Sequence, residues 1–537
     1  MAIYRFIIIV TISIFLQNPG FCQNKWIQSY LGNKSVFGED FEESYDKGYL
    51  LAGYYVTATF PNFSWIIKTD INGEMLWNKT FGETNSFIAL ADIDINNFGE
   101  IFCVGFTTYY DPFQDPIIIK INPCGEKQWC IVYHTPGDMD YAYNVLALED
   151  GSVVTILKYT GYFPPGNDRI CLAKFDSQGD MIWKECYNSP DTSMINEDAR
   201  SFILTNDSGY LITGSCDYED PLNPGLYWAK PYFIKTDSNG VFQWERVAFK
   251  NVGGESGGFA WTTTLNDRND YYYSSISHHS SITGNYSPAL MKMNLDGYII
   301  DTYDLVYGYK HGGLGYSTFL NDSVLAGSAG WGNTEDDIVN HAVLFDTVGN
   351  IINYTDLVND IYGSILQKSF DQKLLYMYST YQSNQFDVYL RKLNQNLEDD
   401  SIYTFPFKYD SLCPYPIASD TIVPDDCSLI VGTTEWPDIN TKTNTTDALE
   451  VFPNPAYEEI HCKYRILERS GNPDLSGQNT ELTISLYDIW GRLIESVKIP
   501  SGQSQIRIDV SDYTPGVYFV VLKSDGEAIG REKVVIY

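Results

Sequence analysis

The sequence predicts an all-β fold, a seven-bladed β-propeller followed by a small C-terminal β-sandwich. One observation is a repeat with a period of about 50 residues, as in propeller blades. Others are a turn signal within the copies and a composition rich in Tyr, Ile, Val and Thr, which favours strands. The clearest copy, IIKTDINGEMLW, spans 66–77. The seven copies are aligned on Gly73, Gly125, Gly179, Gly240, Gly297, Gly349 and Leu397.

The copies predict β-hairpins. The pair Asn72-Gly73 favours a type I′ turn, in which both central residues have φ > 0. Counting outward from that turn places Lys68 opposite Trp77, and opposed side chains touch, so the lysine stem is expected to lie on the indole. We interpret this pair as a structural contact rather than as part of a ring of cationic binding sites. The same alignment gives Lys120/Trp129, Lys174/Trp183 and Lys235/Trp244.

The first residues of the mature chain are expected to close the propeller. The segment 26–32, WIQSYLG, resembles the strand that ends the first repeat but has no partner strand before it. Such a strand would complete the blade built from the C-terminal repeat, which removes exposed sheet edges. The propeller is therefore predicted over 23–407, with a Pro-rich cap and linker over 408–446.

Residues 1–22 have the features of a signal peptide. Arg5 precedes an apolar run over 6–16, and the small residues Gly20 and Cys22 stand at the cleavage positions. The run is too short to span a bilayer, so no transmembrane segment is predicted in the mature chain. The formal net charge of −34 does not suit a phosphate backbone, which argues against nucleic acid as a partner.

Export permits disulfide bonds, and two are predicted. The hairpin alignment places Cys171 opposite Cys186. Cys413 and Cys427 bracket the Pro-rich segment, where a bond between them would close a short loop. The other cysteines show no zinc-binding spacing.

Short strands with polar turns predict the β-sandwich over 447–537. Its motifs FPNP, LYDIWGRL and DVSDYTPGVYFVVL resemble the type A C-terminal sorting domain of the type IX secretion system of Bacteroidetes-type bacteria. The resemblance implies that this machinery is a partner and that the protein is secreted or displayed on the outer-membrane surface. The motif residues are Pro453, Asn454, Pro455, Tyr487, Asp488, Gly491, Leu493, Pro515, Gly516, Val517 and Tyr518.

The repeats resemble, more loosely, the quinoprotein-type propeller repeat, whose D-x-x-G-x-x-x-W pattern matches Asp70, Gly73 and Trp77. That pattern is structural in the family and implies no quinone. No cofactor is predicted; calcium held loosely by the acidic surface is the alternative left open. The alternating acids Asp92 and Asp94 favour a strand end and turn over a calcium loop, because glycine and glutamate do not stand at EF-hand spacing.

No catalytic set is recognisable in the sequence, and the adjacent His278 and His279 would point to opposite faces of a strand. We expect an exported propeller that binds an extracellular protein or glycan, and we disfavour an enzyme. The alternative is a secreted polysaccharide-active or quinone-dependent enzyme with acids at the mouth of the propeller channel. The loops between strands are expected to bind; they include 111–116, 162–168, 217–230 and 253–258.

Overall fold

The computed structural model shows a chain built from strands, in two compact units of which the first ends at Gly432. No helix in the described part of the chain could cross a membrane. The signal peptide and the motif residues Pro453, Asn454, Pro455 and Gly491 lie outside the described residues. These are 26–536 without 33, 56–62, 83–86, 110–112, 135–138, 160–168, 188, 190, 254–256, 267, 281–284, 335–336, 358–360, 383, 406, 425, 432–448, 453–455, 458, 465–481, 489–491, 500–504, 512 and 525–526.

The described strands of the first unit form seven sheets that follow one another along the chain. After β1 (Ile27–Tyr30), sheet 1 contains β2 (Val36–Glu43), β3 (Tyr49–Tyr55), β4 (Ser64–Thr69) and β5 (Met75–Phe81). Sheet 2 contains β6 (Ile88–Ile95), β7 (Ile101–Thr107), β8 (Asp115–Ile121) and β9 (Lys127–His134). Sheet 3 contains β10 (Tyr141–Ala147), β11 (Val153–Tyr159), β12 (Arg169–Phe175) and β13 (Met181–Tyr187).

The later sheets repeat this antiparallel order. Sheet 4 contains β14 (Met194–Leu204), β15 (Tyr210–Glu219), β16 (Tyr227–Thr236) and β17 (Phe242–Val247). Sheet 5 contains β18 (Gly257–Leu265), β19 (Tyr271–Ser280), β20 (Asn285–Asn294) and β21 (Ile299–Asp304). Sheet 6 contains β22 (His311–Asn321), β23 (Val324–Gly332), β24 (Val339–Asp346) and β25 (Ile351–Asp356). Sheet 7 contains β26 (Ile361–Lys368), β27 (Leu374–Gln382), β28 (Gln385–Leu393) and β1.

The predicted hairpin alignment is confirmed, but the turn type is not. Lys68 lies opposite Trp77, and the other three Lys–Trp pairs align in the same way. Gly73 has φ +76°, whereas Asn72 does not have the positive φ of a type I′ turn. The Gly73 N–H instead donates to the Asp70 carbonyl at 3.0 Å, and the alignment shifts by one residue after Lys68. These features belong to a type I turn followed by a glycine bulge.

The D-x-x-G-x-x-x-W pattern has a structural explanation. The Asp70 carboxylate accepts hydrogen bonds from the N–H groups of Asn72 and Glu74, both at 2.8 Å, and so holds the turn. Three tryptophans of this pattern, Trp129, Trp183 and Trp244, pack on the turn glycine of the next sheet. Trp77 instead donates a hydrogen bond to Asp410 at 3.3 Å. A Cβ added to Gly240 would lie 2.6 Å from the Trp183 ring, and glycine is therefore required there.

In three of the four pairs the lysine binds a carboxylate, a partner that the sequence did not indicate. The Lys68 ammonium lies 2.5 Å from Asp46, and both side chains are 2% exposed. Lys235 binds Asp207 at 2.9 Å in the same manner. These aspartates lie between the first and second strands of their sheets, so the ion pair fastens two turns of one sheet.

The core of the first unit lies between adjacent sheets. The first strands contact one another in order from β2 to β26, and β26 contacts β2 again. β1 pairs with β28, with Tyr30 opposite Val388, so the N-terminal strand completes sheet 7 as predicted. Tyr30 also donates a hydrogen bond to the Gly73 carbonyl at 2.8 Å, which joins sheet 7 to sheet 1.

The residues after β28 form an extended segment, 403–431, which we call the strap. It contains β29 (Asp420–Ile422), which pairs in parallel with β5, and β30 (Ser428–Val431), which pairs in parallel with β9. Tyr409 precedes β29 in the strap, and its hydroxyl accepts a hydrogen bond from the Ile71 N–H at 2.9 Å. The described part of the predicted cap and linker therefore packs on sheets 1 and 2.

The structure joins Cys171 to Cys186, which face one another in β12 and β13 as predicted. The predicted bond between Cys413 and Cys427 is wrong. Cys413 is bonded to Cys124 and Cys427 to Cys130, across sequence separations of 289 and 297 residues. The Pro-rich segment runs along the sheets instead of folding back, so each cysteine meets a partner in sheet 2.

The second unit contains β31 (Leu449–Phe452), β32 (Glu459–Tyr464), β33 (Leu482–Asp488), β34 (Leu493–Lys498), β35 (Gln505–Asp509), β36 (Gly516–Ser524) and β37 (Glu527–Ile536). β31, β32 and β35 form one sheet, and the other four strands form a second sheet. Both sheets contribute to one buried apolar cluster, for example through Ile460 and Leu486. Tyr518 lies opposite Asp488, which brings two of the sorting motifs together.

Candidate functional site

The first strand of every sheet in the first unit has a β-bulge at a corresponding position. A bulge inserts a residue that is not paired across the ladder, re-aims side chains and is common beside functional sites. Because these strands contact one another in order, the bulges of neighbouring sheets lie side by side. The inserted residues are Glu39, Ala91, Tyr143, Arg200, Trp261, Gly315 and Gly363.

Carboxyl groups lie at or next to the bulges of sheets 1 and 2, because Asp40 follows the inserted Glu39 and Asp92 follows the inserted Ala91. Asp40 and Asp92 are 9% and 7% exposed. The Asp92 carboxyl accepts hydrogen bonds from the side-chain amide of Asn144 at 2.7 Å and from the Val145 N–H at 2.6 Å. Asp94 accepts one from the Ala147 N–H at 2.7 Å. Acids of β6 therefore bind backbone donors of β10 and join sheet 2 to sheet 3.

Burial raises the pKa of these carboxyl groups, because the charged form loses its hydration. The pKa of Asp92 is raised to about 7 and that of Asp94 to about 6. Burial raises the pKa of Glu39 to about 8, with the neighbouring Asp40 charge as a second cause. The pKa of Asp40 is raised well above its usual value by burial and then by Asp92. Protonated carboxyl groups therefore persist here near neutral pH.

A cleft of about 400 Å³ opens among sheets 5, 6 and 7. Its volume falls within the range of sites that bind small molecules, roughly 300–1,000 Å³. No Asp, Glu, Lys or Arg is among the described residues that line it. The lining is aromatic, hydroxyl-bearing and glycine-rich: Phe259, Trp261, Ser277, Tyr286, His311, Gly312, Gly313, Gly315, Ser328, Ala329, Gly330, Ile338, Asn340 and Ser364.

Trp261 is both a bulge residue and a wall of this cleft. Its indole N–H donates to the Ser277 hydroxyl at 2.9 Å, which fixes the ring plane. The Arg200 guanidinium lies 5.4 Å from the ring centroid and is itself paired with Asp198 at 2.5 Å. The ring of Phe259 lies 6.3 Å from that of Trp261. The rings of Trp261 and Phe259 are thus held in place at the wall of the cleft by contacts with their neighbours.

Glycines at the wall keep the volume of this cleft free of side chains. A Cβ added to Gly313 would lie 2.1 Å from the Ser277 hydroxyl oxygen, so a side chain does not fit at that position. At Gly315 the nearest atom would be the Ser328 carbonyl oxygen at 3.8 Å. Gly315 therefore leaves free space beside Trp261 that any larger residue would occupy.

Sequence reasoning did not find the cleft. The available signal was HGGLGYS, at 311–317, because glycines inside a strand pattern mark bulges or close approach of a ligand. His278 and His279 diverge as expected. His278 binds Asp304 at 2.7 Å, whereas His279 packs against Tyr286 with ring centroids 4.3 Å apart.

The other sequence predictions for sites have mixed outcomes. Asp92 and Asp94 lie in the last residues of β6, at the predicted strand end. Among the residues that the structure describes, no group of three or more His, Cys, Asp or Glu is arranged to hold a metal ion. The predicted loop positions 111–112, 162–168 and 254–256 lie outside the described residues.

Comparison with known families identifies the second unit. Residues 450–537 match the family described as the secretion system C-terminal sorting domain. The predicted sorting domain is thereby confirmed, and the type IX secretion system carries the protein to the cell surface or the extracellular space. No curated protein matches the sequence.

Solved structures similar to the chain include one named as a propeller. The Dos1 propeller is 13% identical, over 68% of this chain and 81% of that one, with a TM-score of 0.41. A protein of unknown function from Bacteroides caccae is 12% identical over 57% and 93% of the two chains, with a TM-score of 0.34. One from Dyadobacter fermentans is 9% identical over 56% and 93%, with a TM-score of 0.37. At these TM-scores the likenesses carry no argument about fold or function.

Proposed function

We propose that this protein is an exported seven-bladed propeller that binds an extracellular glycan in the cleft among sheets 5, 6 and 7, and that a β-sandwich tail delivers it. The observation that carries the proposal is a cleft walled by Trp261, Phe259 and Tyr286, whose described lining contains no Asp, Glu, Lys or Arg. Aromatic faces stack on the C–H faces of sugar rings, while hydroxyl and amide groups bind sugar hydroxyls.

Closure of the seven sheets into a ring is supported by the contact of β26 with β2 and by the pairing of β1 with β28. The strap supports the junction between sheets 7 and 1, because it leaves sheet 7 after β28 and crosses the turn of sheet 1. Two disulfides then bind it to sheet 2. A rigid ring would hold the cleft walls, which come from three different sheets, at fixed separations.

The test is a glycan array probed with the mature full-length chain, followed by calorimetry on the glycans that bind. We expect at least one extracellular glycan to bind and Trp261→Ala to abolish that binding. Phe242→Ala is the matched control, because Phe242 is 41% exposed on β17 and lies outside the cleft. A chain that binds no glycan, or a Trp261→Ala variant that binds normally, would refute the proposal.

A second candidate is a polysaccharide-active enzyme, favoured by the acids at the bulges. Carboxyl groups that stay protonated near neutral pH can act as general acids in glycoside cleavage. Asp92 is the residue of choice because burial raises its pKa to about 7. Release of reducing sugar by the chain, lost in Asp92→Asn, would establish this function; binding without turnover would exclude it for the glycans tested.

A further inference from the structure

We propose that the cleft selects uncharged glycan chains and rejects both anionic and cationic ones. This inference rests on the proposed glycan binding and specifies its substrate class. A sugar that enters the cleft loses water, and a charged group that loses water needs a counter-ion or several hydrogen bonds. The described lining supplies no carboxylate and no Lys or Arg for that role.

Three charged groups near the cleft are already paired. Arg200, behind Trp261, is bound to Asp198 at 2.5 Å. In sheet 5, Asp304 is held by His278 at 2.7 Å, and in sheet 6, Asp356 is held by His341 at 2.9 Å. Recruiting any of them for a ligand would break an existing pair. Lys310 precedes the lining residue His311 but is exposed and is not part of the wall.

The net charge of the chain adds a further obstacle to anionic sugars. The chain as a whole carries a formal charge of −34, so a uronate or sulfated glycan meets repulsion before it reaches the wall.

The polar groups of the cleft suit hydroxyl recognition instead. Ser277, Ser328 and Ser364 carry hydroxyls that both donate and accept hydrogen bonds, and Asn340 offers an amide. The hydroxyls of Ser328 and Ser364 already bind one another, and Ser277 accepts from Trp261. A neutral sugar can join such a network, because each sugar hydroxyl is also both donor and acceptor.

The experiment compares glycans that differ in the charge of one substituent on each sugar. The neutral chain that binds best on the array is oxidised at C6 to its uronate form, and both forms are titrated calorimetrically. A second pair is chitohexaose, which is neutral, and its deacetylated, cationic form. We expect each charged form to bind on the order of tenfold more weakly than its neutral counterpart, or not at all.

Gly315→Phe tests whether this selection belongs to the cleft. The new ring would fill the free space beside Trp261, so neutral glycan binding should be lost while the circular dichroism spectrum is unchanged. Gly32→Phe is the matched control, because the nearest atom to a Cβ there is Asp387 Oδ1 at 4.0 Å and Gly32 lies away from the cleft. It should bind as the parent chain does.

The outcomes separate the two proposals. Equal or tighter binding of the uronate or deacetylated form would overturn the charge selection while leaving glycan binding intact. Neutral binding that survives in Gly315→Phe would also overturn it, since the selecting site would lie elsewhere. Failure of every glycan, charged or neutral, would instead refute glycan binding itself.

Discussion

Replacing Tyr30 with phenylalanine should destabilise the first unit by about 1–3 kcal/mol, the cost of leaving a buried hydrogen-bond partner unsatisfied. Tyr30 is 5% exposed, and its hydroxyl donates to the carbonyl oxygen of Gly73, which is itself buried, at 2.8 Å. The phenylalanine ring retains the packing. The lost free energy therefore reports the hydrogen bond between the N-terminal strand and sheet 1.

The chain contains a matched control for this change. Tyr187 is 4% exposed, and its hydroxyl donates to the Gly240 carbonyl at 2.7 Å, which joins sheet 3 to sheet 4 in the same geometry. Tyr187→Phe should therefore cost a similar free energy. Tyr307 is 80% exposed, so Tyr307→Phe should cost nothing measurable.

Unfolding of the full chain in guanidinium, followed by tryptophan fluorescence, measures all three variants. If Tyr187→Phe is destabilised while Tyr30→Phe behaves as the parent chain, the N-terminal strand does not join sheet 7 to sheet 1 in solution. If neither variant is destabilised, the reasoning about the turn carbonyl is wrong for every sheet.

Three further changes test the same structure. Asp46→Ala leaves the ammonium of Lys68 buried without the carboxylate that binds it at 2.5 Å. The free energy of unfolding, measured in urea, should fall by about 3–5 kcal/mol. A fall below about 1 kcal/mol would contradict the ion-pair argument. Because burial raises the pKa of Asp92 to about 7, the folded state binds more protons than the unfolded state between about pH 4 and 7, and stability falls as pH rises through that window. The contribution is at most about 4 kcal/mol at 1.36 kcal/mol per pKa unit, and Asp92→Asn should flatten the unfolding free energy measured from about pH 4.5 to 7.5. The double variant Cys124→Ser/Cys413→Ser leaves the Cys130–Cys427 bond intact, so it opens a loop of roughly 20 residues and should lower the free energy of unfolding by about 3 kcal/mol. An unchanged guanidinium midpoint would show that this bond contributes no stability.

Short-range features were predictable because they depend on neighbours in sequence. The alignment of Lys68 with Trp77 and the bond between Cys171 and Cys186 both follow from counting outward from a turn. The turn type was missed because Asp70, outside the Asn-Gly pair, accepts hydrogen bonds from two backbone donors and stabilises a longer turn. The partner of Cys413 was missed because the strap runs along two sheets before it ends.

The cleft could not be predicted for a related reason. Its walls come from Trp261 in sheet 5, Gly315 in sheet 6 and Ser364 in sheet 7, which are separated by about 50 residues each, as the repeat dictates. A repeat shows that these positions are equivalent, but the same position holds an acid in one sheet and a glycine in another. Only the arrangement of the sheets shows which of these residues share a cavity.

The sequence by itself determined the repeat, the hairpin alignment, the strand that completes sheet 7 and the sorting domain, since each is written in patterns that span a few dozen residues or in a recognisable motif. Only the tertiary structure decided which carboxylate holds Lys68, which cysteine binds Cys413 and where the cleft opens. The physical reason is that these contacts join segments brought together by packing between sheets, and no local pattern specifies which side chains that packing places side by side.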